Sequence, residues 1–118
     1  MENRHVILTI RNERLKGILK DNVTTRGLIE KLPLAMTMHD LHNREKYVKI
    51  SDLAVDQINT SHYSKGDISY WTPGNAFVIY YKGKQEPLHG LVKLGEIVER
   101  VELLENYPGD IEVTIETE

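Results

Sequence analysis

The stretch from Ile111 to Glu116 sets Ile111, Val113 and Ile115 in strict alternation with Glu112, Thr114 and Glu116. A period of two is the signature of an extended strand with one face in a core and the other in solvent. The same alternation recurs in short pieces along the chain. Val6, Leu8 and Ile10 share one face of the segment His5–Ile10, the charged stretch Arg11 to Arg14 turns the chain, and Leu15 and Leu19 then stand opposite Lys16 and Lys20. That pattern predicts a β-hairpin. Leu34, Met36 and Met38 alternate with Ala35, Thr37 and His39, His42 and Asn43 form a turn, and Glu45 to Ile50 returns as a strand with Val48 and Ile50 facing together. Ile68–Trp71, Asn75–Tyr81 and Gly90–Ile97 complete the strand set, the last two as nearly continuous apolar runs.

Two segments change period. After Asp21 and Asn22, either of which can cap a helix, Leu28, Ile29 and Leu32 fall on one side of a helix of roughly two to three turns that Pro33 must end. Gly27 lowers helix propensity there by about 1 kcal/mol relative to Ala, which predicts a close approach of this helix to the sheet. Val98, Val101, Leu103 and Leu104 form the second helix-like spacing before the turn Tyr107-Pro108-Gly109-Asp110. The longest irregular region runs from Ser51 to Lys65. Seven or eight short strands with two short helices, joined mostly by antiparallel connections, describe a β-barrel or sandwich whose ends the helices plug.

Composition limits the chemistry. The 118 residues fit one domain spanning 1–118, of a size that buries roughly 65% of the surface exposed by its unfolded chain. With no cysteine there is no disulfide, no thiolate nucleophile and no Cys-based metal site. The net charge of −3 comes from interspersed acids and bases, without the basic patch that phosphate binding needs, so nucleic acid is not an expected partner. The start MENRHVILTI, followed at once by charged residues, is unlike a signal peptide, and no run approaches the roughly 18 apolar residues of a membrane span. The expectation is a cytoplasmic protein that engages no membrane.

The run GDISYWTPGNAFVIYY, residues 66–81, holds the only Trp, the only Phe and three of the six Tyr. One reading makes it core, with Phe77 and Ile79 filling the interior, Pro73-Gly74 in a type II turn, and Trp71 and Tyr80 covering strand edges. The other makes Tyr70, Trp71 and Asn75 the rim of a groove for a short peptide or small molecule. Alternate residues of one strand face opposite ways, so both readings can hold together.

Gly66, Asp67, Tyr70, Trp71, Pro73 and Gly74, followed by the apolar strand and by Leu94-Gly95-Glu96-Ile97-Val98, resemble the small bacterial and archaeal cyclophilin-like family, minimal relatives of the cyclophilin prolyl isomerases. The resemblance covers nearly the whole chain and implies a closed, eight-stranded β-barrel with a short helix capping each end. The cyclophilin catalytic set centres on an Arg followed by a Phe and a Gln. An Arg suits prolyl isomerisation because its fork of donors holds the substrate carbonyl while amide resonance is lost. The matching strand here reads REKYVKIS, and Lys49, the basic residue close to the expected place, is a point donor without that fork. No Phe-x-x-Gln follows, and Asn75-Ala76-Phe77-Val78 stands where the family has Gln-Phe-Phe. The resemblance therefore implies a non-enzymatic binding domain with Tyr70, Trp71, Asn75 and Lys49 as ligand-binding candidates. A peptidyl-prolyl cis-trans isomerase with an atypical site is the alternative.

No cofactor motif is present. His39, Asp40 and His42 offer ligand types but no third committed partner at metal-site spacing, and surface histidines are the simpler reading. Ser61, His62 and Ser64 with Asp56 lack a nucleophile elbow. Gly66-Asp67 predicts a turn hydrogen bond in preference to a carboxylate pair with Glu96.

Overall fold

The computed structural model describes residues 3–83 and 87–118. Its strands are β1 (Arg4–Ile10), β2 (Glu13–Leu19), β3 (Leu34–Leu41), β4 (Glu45–Lys49), β5 (Asp67–Trp71), β6 (Ala76–Tyr80), β7 (Leu91–Ile97) and β8 (Ile111–Thr117). The helix α1 covers Val23–Glu30, and two 3-10 helices cover Thr72–Gly74 and Val101–Asn106. All neighbouring strands run antiparallel in a closed barrel of order β1-β2-β7-β5-β6-β4-β3-β8. Of the two architectures compatible with the alternation, the chain adopts the barrel.

Closure depends on the C-terminal strand. On one side of β8, Val113 lies opposite Ile10 and Thr117 opposite Val6; on the other, Ile115 lies opposite Leu34 and Ile111 opposite Met38. Both edges of β8 are thereby paired, which closes the sheet into a barrel and removes its two free edges. The inward residues Val6, Leu8, Ile10, Leu15, Leu19, Met38, Ile68, Phe77, Ile79, Leu94, Val113 and Ile115 are essentially inaccessible to solvent. Each comes from the apolar phase of its strand.

The helices sit at opposite ends, because α1 joins the Leu19 end of β2 to the Leu34 end of β3 while the second 3-10 helix joins Ile97 to Ile111. Asn22 is the cap of α1, its side-chain oxygen accepting from the Thr25 amide at 2.8 Å, and its amide nitrogen also donates to the Lys93 carbonyl on β7. Asp21 instead pairs with Arg26 at 2.9 Å. Leu28 enters the core. Gly27 makes no close approach to the sheet: a Cβ there would meet only Leu53 of the 50–66 connection, at an ordinary 3.5 Å. The close approach is at Gly95, where a Cβ would lie 2.0 Å from the Ile18 carbonyl oxygen of β2.

The other end carries a feature that alternation alone does not disclose. Lys46 lies opposite Ile79 on the interior face of β4 and is wholly buried. Its ammonium donates to the Gly109 carbonyl at 2.7 Å and to the Tyr107 carbonyl, and pairs with Asp40 at 3.3 Å. Buried charge is tolerated only with such partners, and here the partners tie the segment between the second 3-10 helix and β8 to the barrel wall. Burial alone would raise the Asp40 pKa, but hydrogen bonds from Tyr81, the Asn43 amide and Lys46 outweigh it and hold the carboxyl below its usual value.

The 50–66 connection is mostly exposed but is anchored to the barrel at several points. Leu53 and Tyr63 are buried, Thr60 forms a bridge with Leu91, and Asn59 accepts from the Lys93 amide at 2.9 Å. It covers part of the outer surface of the barrel, which is why all five residues of β6 are buried on both faces. No helix among the described residues is long and apolar enough to cross a membrane.

Two outcomes follow. Gly95→Ala forces β2 and β7 apart and is expected to cost at least about 3 kcal/mol, read from the urea midpoint. A carboxyl with a depressed folded pKa contributes stability that is present above its unfolded value and lost as pH falls through the folded one. Asp40→Asn should therefore lower the urea midpoint at neutral pH and leave a flatter decline below about pH 4 than the parent shows.

Candidate functional site

The outer face of β4 presents Glu45, Tyr47 and Lys49, the residues whose neighbours Lys46 and Val48 point inward. Beside it β6 presents Ala76, Val78 and Tyr80, and β5 ends at Trp71. Ala76, Val78, Tyr80, Tyr63 and Leu91 form a second apolar cluster outside the barrel, with Tyr47, Trp71 and Leu88 packed against it. Between these side chains lies an open groove of about 420 Å³, lined by Leu41, Tyr47, Trp71, Ala76, Val78 and Leu88 with Arg44, Glu45, Lys49 and Gly74. Its size falls within the range of small-molecule sites, and its walls have their makeup, mostly apolar with a few charged groups.

Trp71 is half-buried at one end of this groove. Its indole N–H donates to the His89 carbonyl at 3.0 Å, which pins the ring and leaves its face toward the groove without a free polar atom. Gly74 lies beneath the ring, so close that a Cβ would stand 2.8 Å from Cζ3. The turn itself departs from a type II turn: Thr72–Gly74 is a 3-10 helix, and the left-handed residue is Asn75, with φ of 51°. Asn tolerates that region better than other side chains. Gly74 is needed here for the space it leaves to Trp71, and the positive φ falls one residue later.

At the other end, Arg44 donates from Nε to Glu45 at 2.7 Å, and its guanidinium lies 5.5 Å from the centre of the Tyr63 ring. Tyr63 and Tyr80 stack with centroids 3.9 Å apart. Burial pushes the Glu45 carboxyl above its usual pKa, with Arg44 opposing the shift, and burial likewise raises Tyr80. The hydroxyls of Tyr63 and Tyr80 are buried without a hydrogen-bond partner among the described residues.

The structure separates the four residues expected to bind ligand. Trp71 and Lys49 both line the groove. Tyr70 does not: it is opposite Phe77, belongs to the interior core, and donates its hydroxyl to the Ile50 carbonyl at 2.8 Å. The expectation that Tyr70 and Trp71 rim one groove is thus corrected by the strand alternation that places neighbours on opposite faces. Asn75 is exposed at the barrel end, where its side-chain oxygen lies 3.3 Å from the Tyr70 hydroxyl, and it is not among the lining residues. Tyr47 and Glu45 were identifiable from the sequence as the residues alternating with Lys49. Leu88, from a distant polar loop, had no such signal.

Elsewhere, His39 pairs with Asp110 at 2.9 Å while Asp40 serves Lys46, so the His39, Asp40 and His42 side chains do not converge. Among the described residues no three His, Asp or Glu side chains are grouped to hold a metal ion. Asp67 accepts from the Ser64 amide at 2.8 Å, the turn hydrogen bond that Gly66-Asp67 predicts.

Because Trp71 is the single Trp, its emission reports on this site alone. Gly74→Ala must displace the indole, and the expected outcome is a shifted emission maximum and an altered near-UV circular dichroism spectrum in a chain that keeps its far-UV spectrum. An unchanged Trp71 signal would mean that the ring is not held against Gly74.

A family model described as the cyclophilin-like family matches residues 8–116. No curated protein sequence matches. Among solved structures, the hypothetical protein AF2241 from Archaeoglobus fulgidus, determined in solution, is similar over 99% of this chain and 96% of its own, with a TM-score of 0.72 and 21% sequence identity. At that identity the likeness speaks to the fold alone. With the family model spanning nearly all of β1 to β8, the chain belongs to the cyclophilin-like family.

Proposed function

We propose that this cyclophilin-like domain is a non-enzymatic binding module whose outer groove takes a small, largely apolar molecule. The observation that carries this reading is the groove of about 420 Å³ between Trp71 and Arg44, with six apolar side chains in its walls. Leu41 at its margin is 37% exposed, an apolar residue that a ligand would cover. The volume suits one compact organic molecule better than an extended peptide, for which binding would show as a requirement for several residues.

The groove's donors speak against prolyl isomerisation. Arg44 is the only guanidinium in the lining, and it is engaged with Glu45 through both Nε and Nη2. Lys49 has a single ammonium in place of a fork. Uncatalysed Xaa-Pro isomerisation takes tens of seconds, so catalysis would be plain in a standard peptide assay. No acceleration is expected at micromolar protein. Acceleration by orders of magnitude that disappears in Lys49→Ala would replace this reading with the isomerase one.

The direct test uses N-phenyl-1-naphthylamine, a neutral apolar probe that brightens on leaving water. The parent protein is expected to bind it, with the Trp71 emission changing in parallel. Trp71→Ala and Leu41→Gln should weaken binding by about fivefold or more, since each removes apolar wall area. Ile58→Gln, which alters a more exposed apolar residue outside the groove, should leave it unchanged. Absence of probe binding, or binding indifferent to Trp71 and Leu41, would refute the proposal.

A further inference from the structure

The polar atoms of the groove are unevenly committed. The Trp71 indole N–H is held by the His89 carbonyl, and Arg44 and Glu45 hold each other. Tyr47 and Lys49 differ. They are two residues apart on the outer face of β4, both line the groove, and neither the Tyr47 hydroxyl nor the Lys49 ammonium has a hydrogen bond or ion pair with any described residue. His39, the ring nearest Tyr47 at 5.6 Å, is occupied by Asp110.

Tyr47 and Lys49 thus offer the groove two uncommitted donors side by side, while the Glu45 carboxylate is paired with Arg44 through Oε1. A hydroxyl and an ammonium on one strand face suit an anionic oxygen pair, and the ammonium contributes charge as well as a donor. The field has the same sign. Two cations and one anion line the groove, so it is locally positive in a chain whose net charge is −3. With Arg44 and Glu45 paired to each other, the Lys49 charge is left unbalanced in the lining and favours an anion at this face. From these observations, and resting on the groove reading above, we infer that the ligand is an apolar monocarboxylate whose carboxylate is held by Lys49 and Tyr47 while its apolar body lies against Trp71, Ala76 and Val78.

The test compares 1-naphthylacetate with 1-naphthylacetamide, which share ring and linker but differ in charge, by titration of the 15N-labelled protein with the Trp71 indole resonance as reporter. The parent protein should bind the acid about fivefold more tightly than the amide at low salt. The preference should narrow as sodium chloride is raised, since the ammonium is exposed. Lys49→Met keeps an unbranched apolar stem, and in that variant the two affinities should converge, with the larger loss falling on the acid. Tyr47→Phe should reduce the preference without removing it. If acid and amide both shift Trp71 and bind equally in the parent, or if the preference survives in Lys49→Met, the carboxylate assignment is overturned while the groove remains a binding site. If neither compound perturbs Trp71, the groove reading fails and the assignment fails with it.

Discussion

Insertion of β8 between β1 and β3 is the contact on which the rest of this structure depends. A sheet of short strands has two raw edges and one apolar face, and closing it on itself removes the edges and buries the face in one step. Once β8 is paired on both sides, every strand has a defined inside and outside. The alternation along each strand then decides which side chains make the core and which remain for other work. Gly95 shows how tight that closure is, since no side chain fits between β7 and β2 at that point.

The interior is not wholly apolar, and the exception has a structural purpose. Lys46 reaches along the barrel interior to the carbonyls of Tyr107 and Gly109, groups that precede β8. Asp40 balances the charge, with Tyr81 and the Asn43 amide holding the carboxylate. The closing strand is thus positioned by side-chain hydrogen bonds at its entry as well as by its ladders.

Outside the barrel, the same alternation leaves Ala76, Val78 and Tyr80 facing away from the core, and the chain covers them with Tyr63 from the 50–66 connection and Leu88 from the loop before β7. The cover is incomplete between Trp71 and Arg44, and the gap is the groove. The site consequently rests mainly on the strands β3, β4, β5 and β6, with Arg44, Gly74 and Leu88 supplied by connecting segments. Such an arrangement fixes the positions of Lys49 and Tyr47, whose backbone is held by pairing to both β3 and β6 or to β6 alone.

The sequence by itself determined the strands, since a period of two written in apolar and polar residues has only one extended solution, and it determined the buried face of β8 and narrowed the cap of α1 to Asp21 or Asn22, between which the structure chose Asn22. It also carried enough of the family pattern around Gly66–Gly74 and Leu94–Val98 to identify the barrel over a sandwich. Trp71 could be picked as the single Trp of the aromatic run, and Lys49 through the resemblance, as the basic residue near the place of the cyclophilin Arg. Tyr70 could not be assigned a side with certainty by composition alone, and the core claimed it because its strand's inward phase includes Ile68. Only the tertiary structure decided that Lys46 is buried, because its partners Asp40, Tyr107 and Gly109 come together through the antiparallel pairing of β3 with β4 and the return of the chain after the second 3-10 helix. The groove itself belongs to the same class of fact. Its walls come from β3, β4, β5, β6 and the segment holding Leu88, and a concavity assembled from segments so far apart in the chain exists only once the barrel has closed.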